Sequence, residues 1–149
     1  MKVPFFDLVR QFETVQGEIR PALDEILNTQ QFILGPQVAK MEKAVAEYCG
    51  VRYAVGVASG SDALFLALMA LDIGPGDEVV LPSFTFFATG GAVSRAGAVP
   101  VFADIDPETY NLDPLDFEKR ITPRTKAVIP VHLYGQCADM DPILRIAKS

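Results

Sequence analysis

The chain has 149 residues, half of them hydrophobic, a formal net charge of −6 and an isoelectric point near 4.7. That length supports one domain with a true core, and thirteen scattered Lys and Arg in an acidic chain exclude a nucleic-acid-binding surface. The N-terminus lacks a basic, then apolar, leader, and no apolar run reaches the roughly 18 residues of a bilayer span, so a cytoplasmic chain without membrane contact is expected.

Along the chain, Leu8, Phe12, Val15, Ile19, Leu23 and Ile26 form one apolar stripe, which predicts a helix over 8–28. Pro21 lies inside it, and its ring would crowd the Gly17 carbonyl, so a kink or break is expected there. Gly35-Pro36 opens a second helix with Val38, Met41, Val45 and Tyr48 on one face, and Gly50 closes it as a left-handed cap.

After Gly50 apolar strands alternate with helices. The strands are Ala54–Ala58, Glu78–Leu81, Val99–Ala103 and Ala127–Val131; the helices are Ser61–Leu71, about Phe86–Ala96 and about Asp139–Lys148. Continuous apolar strands are buried on both faces, which predicts a mostly parallel sheet covered by helices. Gly74–Asp77 and Asp104–Asp116 read as loops, the aspartates 104, 106 and 113 as caps and turn formers. Cys49 and Cys137 lie far apart with a single histidine in the chain, so buried, reduced thiols are expected rather than a metal site.

Three stretches carry chemistry. Ser59-Gly60-Ser61-Asp62 joins a strand to a helix whose first N–H groups suit an anion, above all a phosphate. It matches neither a P-loop nor a dinucleotide fingerprint, and as a bare turn it is equally well a tight connection. In the anion-binding alternative, the N–H groups of Ser61 and Asp62 and the Ser61 hydroxyl cradle the phosphate while the Asp62 carboxylate turns aside. The second stretch, Pro82–Thr89, follows a strand at the carboxyl end of the sheet, where ligands of open parallel sheets bind. Its phenylalanines suit a flat ring, although Phe84 and Phe87 read better as core residues. The third stretch holds His132, read as a hydrogen-bonded structural residue before a chemical one. The residues offer a binding site without an evident catalyst. Lys40, Lys43, Arg120 and Arg124 read as solvated charges.

In this order, several stretches resemble the DegT/DnrJ/EryC1/StrS family of pyridoxal-phosphate-dependent sugar aminotransferases. They are Val3–Leu8, Phe32–Pro36, Ala54–Leu64, Gly76–Val79, Pro82–Phe86, Asp104–Pro114 and Val131–Gln136. The resemblance implies an α/β fold, the large domain of fold-type-I aminotransferases, mostly parallel with helices on both faces and preceded by a helical arm. Residues 1–50 would be the arm and 51–149 the first part of the large domain. It implies pyridoxal 5'-phosphate as cofactor, with Ser61 and Asp62, in the turn containing Gly60, on the phosphate and Phe86 stacked on the pyridine ring. It further implies a nucleotide-sugar substrate, an amino-acid donor such as glutamate, and a homodimer with shared active sites.

Family members are more than twice as long. The aspartate that pairs with the pyridine nitrogen and the Schiff-base lysine are therefore expected beyond Ser149, and the 149 residues alone are not expected to transaminate. A sugar dehydratase of the same family, or a non-catalytic regulator, is the alternative. Lipopolysaccharide, surface-layer glycans and antibiotic sugars are the candidate pathways.

Overall fold

The computed structural model describes residues 3–148, so Met1, Lys2 and Ser149, at the ends of the two expected domains, lie outside the described residues. The chain divides into two compact units, Met1–Gly56 and Val57–Ser149.

In the first unit, helix α1 (Leu8–Thr29) starts at Asp7, whose carboxylate accepts the Arg10 N–H at 3.0 Å. It runs through Pro21 without the expected break. A proline removes one hydrogen bond and crowds one carbonyl, and the 22-residue helix continues past that single gap. Helix α2 (Pro36–Cys49) has proline at its first position and ends at Gly50, whose φ of 65° is the expected left-handed cap. Glu25 on α1 holds α2 through Gln37 (2.6 Å) and Lys40 (3.8 Å), and Glu42 accepts the Gly56 N–H at 2.7 Å. Phe12, Val15, Ile19 and Leu23 of the α1 stripe are exposed.

Residues 54–58 do not form the expected strand. A strand is defined by its ladder partners, and no described strand pairs with this segment, so its β-branched composition alone does not make one.

The second unit follows the expected alternation. Helix α3 (Gly60–Ala70), strand β1 (Glu78–Pro82), helix α4 (Ala88–Arg95) and strand β2 (Val99–Ala103) are followed by helix α5 (Pro114–Arg120), strand β3 (Thr125–Val128) and helix α6 (Met140–Ile146). The sheet is parallel in the order β2-β1-β3, with Glu78 opposite both Val99 and Thr125. Alternate β1 residues face opposite ways. Val79 and Leu81 pack with Leu68, Ala92 and Val93 of α3 and α4, while Val80 packs with Phe117 and Ile143 of α5 and α6. Each fully buried Val or Leu contributes about 1.5–3 kcal/mol.

Burial on both faces holds only for β1; Val99 and Phe102 of β2 are half exposed. A flanking strand has a sheet neighbour on one side only, and helices of this unit cover the centre first.

Helix α5 occupies part of the expected loop 104–116. Asp113 caps it by accepting the Leu115 N–H at 2.9 Å, and Pro114 takes its first position. The other aspartates act as turn formers, as expected: Asp106 accepts the Glu108 and Thr109 N–H groups at 2.8 Å, and Asp104 accepts that of Ile105.

Two further expectations change. Cys49 and Cys137 are exposed, Cys49 as the last residue of α2 and Cys137 in the loop before α6. Arg124 is more than a solvated charge, since its Nε bonds the buried Glu78 carboxylate at 2.8 Å, beside the Thr122 hydroxyl. The Thr122 hydroxyl first, and the Arg124 guanidinium next, hold the Glu78 carboxyl below the usual glutamate range. No helix among the described residues is long and apolar enough to cross a membrane.

Candidate functional site

The site lies where β1 ends and α3 begins. Ser59 caps α3: its backbone is extended (φ −161°, ψ 164°), and its hydroxyl oxygen accepts the Asp62 N–H at 3.1 Å. The Ser59 carbonyl accepts the Ala63 N–H at 2.9 Å. Of the N–H groups at the helix start, that of Asp62 is taken by the Ser59 hydroxyl, whereas those of Gly60 and Ser61 have no bond among the described residues. A side-chain atom built on Gly60 would meet nothing within 4 Å, so the space beside these donors is open. Two free donors, an exposed Ser61 hydroxyl and the positive end of α3 make a seat for an anion.

The sequence placed Asp62 in that seat through its N–H. Here the N–H is already used by Ser59, and Gly60 provides the second open donor instead. The Asp62 carboxylate is held at both oxygens: Oδ1 accepts from Arg95 at 3.1 Å, and Oδ2 accepts the Ser59 hydroxyl at 3.0 Å. The Arg95 bond first, and the Ser59 bond second, keep this carboxyl below the usual aspartate range.

From the end of β1 the chain passes through Ser83–Phe87 into α4. The Ser83 N–H extends the ladder by donating to the Ala103 carbonyl at 2.8 Å, and the Thr85 and Thr89 hydroxyls meet at 3.0 Å, tying the loop to the first turn of α4. Phe86 is thereby presented to solvent, 77% exposed. Phe84 and Phe87, expected in the core, are exposed as well. Both lie in the segment between β1 and α4; Phe84 meets the Tyr110 ring at 5.8 Å and Phe87 lies over Gly91.

Ser61 and Phe86 line one cleft of about 930 Å³, together with Ser83, Thr85, Phe87, Arg95 and Phe102. Gly90 and Gly91 form part of its wall. The cleft joins an aromatic surface to a cationic helix start, a combination suited to a flat ring bearing an anionic group.

His132 stands apart from the cleft. Its Nδ1 accepts the Ala138 N–H at 3.0 Å, the structural role expected of it. Nearby, buried Asn111 stitches two loops by accepting the Leu133 N–H at 2.9 Å and donating to the Gln136 and Cys137 carbonyls. Sequence reasoning assigned no role to Arg95. Its partner lies 33 residues earlier, on another helix, and no local pattern marks such a pair.

Residues 13–149 match the DegT/DnrJ/EryC1/StrS aminotransferase family. The chain is 52% identical over 99% of its length to the "Pleiotropic regulatory protein" of Geobacillus stearothermophilus. It is 50% identical over 98% of its length to the UDP-2-acetamido-2-deoxy-3-oxo-D-glucuronate aminotransferase of Pseudomonas aeruginosa. It spans about 40% of the length of these curated relatives, 40% of the first and 41% of the second. Among solved structures, DesV of S. venezuelae superposes with a TM-score of 0.94 at 48% identity, over 99% of this chain and 40% of that one. NtdA of Bacillus subtilis, solved with bound cofactor PMP, superposes with a TM-score of 0.92 at 42% identity, over 99% of this chain and 34% of that one. The second unit thus has the fold of the large domain of fold-type-I aminotransferases, in part.

Proposed function

Because the chain belongs to the DegT/DnrJ/EryC1/StrS aminotransferase family, we propose that it forms part of a pyridoxal-phosphate-dependent aminotransferase. The enzyme moves an amino group from an amino acid such as glutamate to a keto sugar carried on a nucleotide. Residues 1–50 serve as its N-terminal arm and 51–149 as the first part of its cofactor-binding domain. It works in the cytoplasm as a homodimer with shared active sites. The nucleotide-sugar class rests on relatives such as the P. aeruginosa enzyme and the dTDP-3-amino-3,6-dideoxy-alpha-D-galactopyranose transaminase of Aneurinibacillus thermoaerophilus.

The observation that carries this reading is the cleft shared by Ser61 and Phe86. At its Ser61 end, the Ser61 N–H and hydroxyl, with the N–H of the adjoining Gly60, receive the cofactor phosphate at the start of α3. Asp62 sets the geometry of that turn through its bond to Ser59. The Phe86 ring covers one face of the pyridine and keeps water from it. Pyridoxal phosphate, when bound, supplies the electron sink for amino transfer. The fit is supported by the two unpaired donors and by the open space beside Gly60.

The test is an equilibrium titration of the protein, at its full encoded length, with pyridoxal phosphate, followed by reaction with an amino-acid donor and a nucleotide-linked keto sugar. Saturable binding and an aminated sugar are expected. A protein that binds no pyridoxal phosphate would overturn the reading.

A further inference from the structure

Asp62 poses a problem at an anion seat. It lies in the first turn of α3, next to the Ser61 donors, and a carboxylate there repels a phosphate dianion. An aspartate in a first helical turn is favourable for the helix itself, so helix stability does not remove the difficulty. The structure supplies a neutralising partner from a different element. Arg95, in the last turn of α4, reaches Asp62 Oδ1 at 3.1 Å. Its guanidinium also lies over the Phe65 ring of α3, 4.3 Å from the centroid, which fixes the side chain against that helix. The Ser59 hydroxyl holds the other carboxylate oxygen, so both oxygens of Asp62 are occupied by donors that are not the anion. An aspartate is ionised at neutral pH, and the Arg95 bond first and the Ser59 bond second hold this carboxyl below the usual range.

We infer that Arg95 is a positioning residue for the anion seat: by binding the Asp62 carboxylate it cancels the one negative charge beside the Gly60 and Ser61 donors and lets a phosphate settle there. The inference rests on the proposed cofactor site and adds a residue to it. Arg95 acts through Asp62. It lines the cleft that Ser61 and Phe86 share, yet its bond in this structure is to the carboxylate.

The experiment is a double-mutant cycle read by the dissociation constant of pyridoxal phosphate, with thermal melting as a second measurement. Arg95→Met keeps the apolar stem over Phe65 and removes the charge. It is expected to weaken pyridoxal phosphate binding about tenfold, the effect of one uncompensated charge in a half-solvated setting. In an Asp62→Asn background the same substitution is expected to change binding less than about twofold, because no charge is left to cancel. Arg95→Lys, which keeps a cation in reach of a singly bonded carboxylate, is expected to stay within about threefold of the unsubstituted protein. An equal loss in both backgrounds would overturn the inference in favour of a direct Arg95–phosphate contact. A fall in melting temperature with no change in affinity would overturn it in favour of a purely structural ion pair. Failure of the unsubstituted protein to bind pyridoxal phosphate would remove this inference and the proposed function together; binding without the coupling removes the inference alone.

Discussion

Ser61 at the start of α3 and Phe86 in the loop after β1 face the same cleft, although the rest of α3 and the whole of β1 separate them in the chain. The sheet brings them together: α3 lies against the Val79–Leu81 face of β1, so the helix start and the strand end meet at one edge. One residue offers a hydroxyl and an N–H, the other an aromatic face.

Phe86 is 77% exposed, so its ring contributes little to the core. Phe86→Ala is expected to leave the melting temperature nearly unchanged and to weaken pyridoxal phosphate binding about fivefold, the loss of one stacking contact. Equilibrium titration and a thermal melt on the same samples check both halves. A large loss of stability with no loss of affinity would return Phe86 to a packing role.

Gly60 gives the complementary test. A side chain there meets no neighbour, and the residue lies inside a right-handed helix, so Gly60→Val is expected to change stability by less than about 1 kcal/mol. The new methyl groups would fill the space beside the open donors, and affinity for pyridoxal phosphate should fall at least tenfold. Affinity equal to that of the unsubstituted protein would show that the anion sits elsewhere.

Glu78 and Arg124 tie the start of β1 to the start of β3, far from the cleft. The folded-state pKa of Glu78 is lowered, chiefly by the Thr122 hydroxyl and then by Arg124, so its contribution to stability is full above the ordinary glutamate range, about 4.3. That contribution is lost as the pH falls through the lower folded value. Glu78→Gln should therefore lower the melting temperature at neutral pH, and the gap should close as the medium is acidified through that window. A gap that is constant with pH would contradict the assignment.

His132 accepts the N–H of buried Ala138. His132→Ala removes that acceptor and should cost about 1 kcal/mol of stability, with faster hydrogen exchange at the Ala138 amide. Unchanged exchange would show that solvent already satisfies the amide.

Much of the second unit was legible because its strands are short apolar runs punctuated by Gly, Pro and Asp. Three of the four expected strands pair in a parallel sheet, while residues 54–58 do not, because pairing depends on a neighbour that composition does not encode. Helix α5 went unread because Asp113-Pro114 serves equally as a turn and as a cap followed by a first-position proline. Pro21 did not break the helix, since one missing hydrogen bond does not interrupt a helix of 22 residues. At the cleft, Ser61 and Phe86 were singled out from local patterns, a glycine turn before a helix and aromatics after a strand, together with the family resemblance. Arg95 was not, because its value comes only from α4 lying across the start of α3.

The cleft at Ser61 and Phe86 is proposed to receive the phosphate and ring of one cofactor. The most direct measurement is the absorption spectrum of the purified protein at its full encoded length, titrated with pyridoxal phosphate and then reduced with borohydride. A saturable visible band that reduction converts into a stable protein-bound adduct, weakened by Phe86→Ala and by Gly60→Val, is the expected result. A protein that stays colourless at saturating pyridoxal phosphate, or a band indifferent to both substitutions, would contradict it.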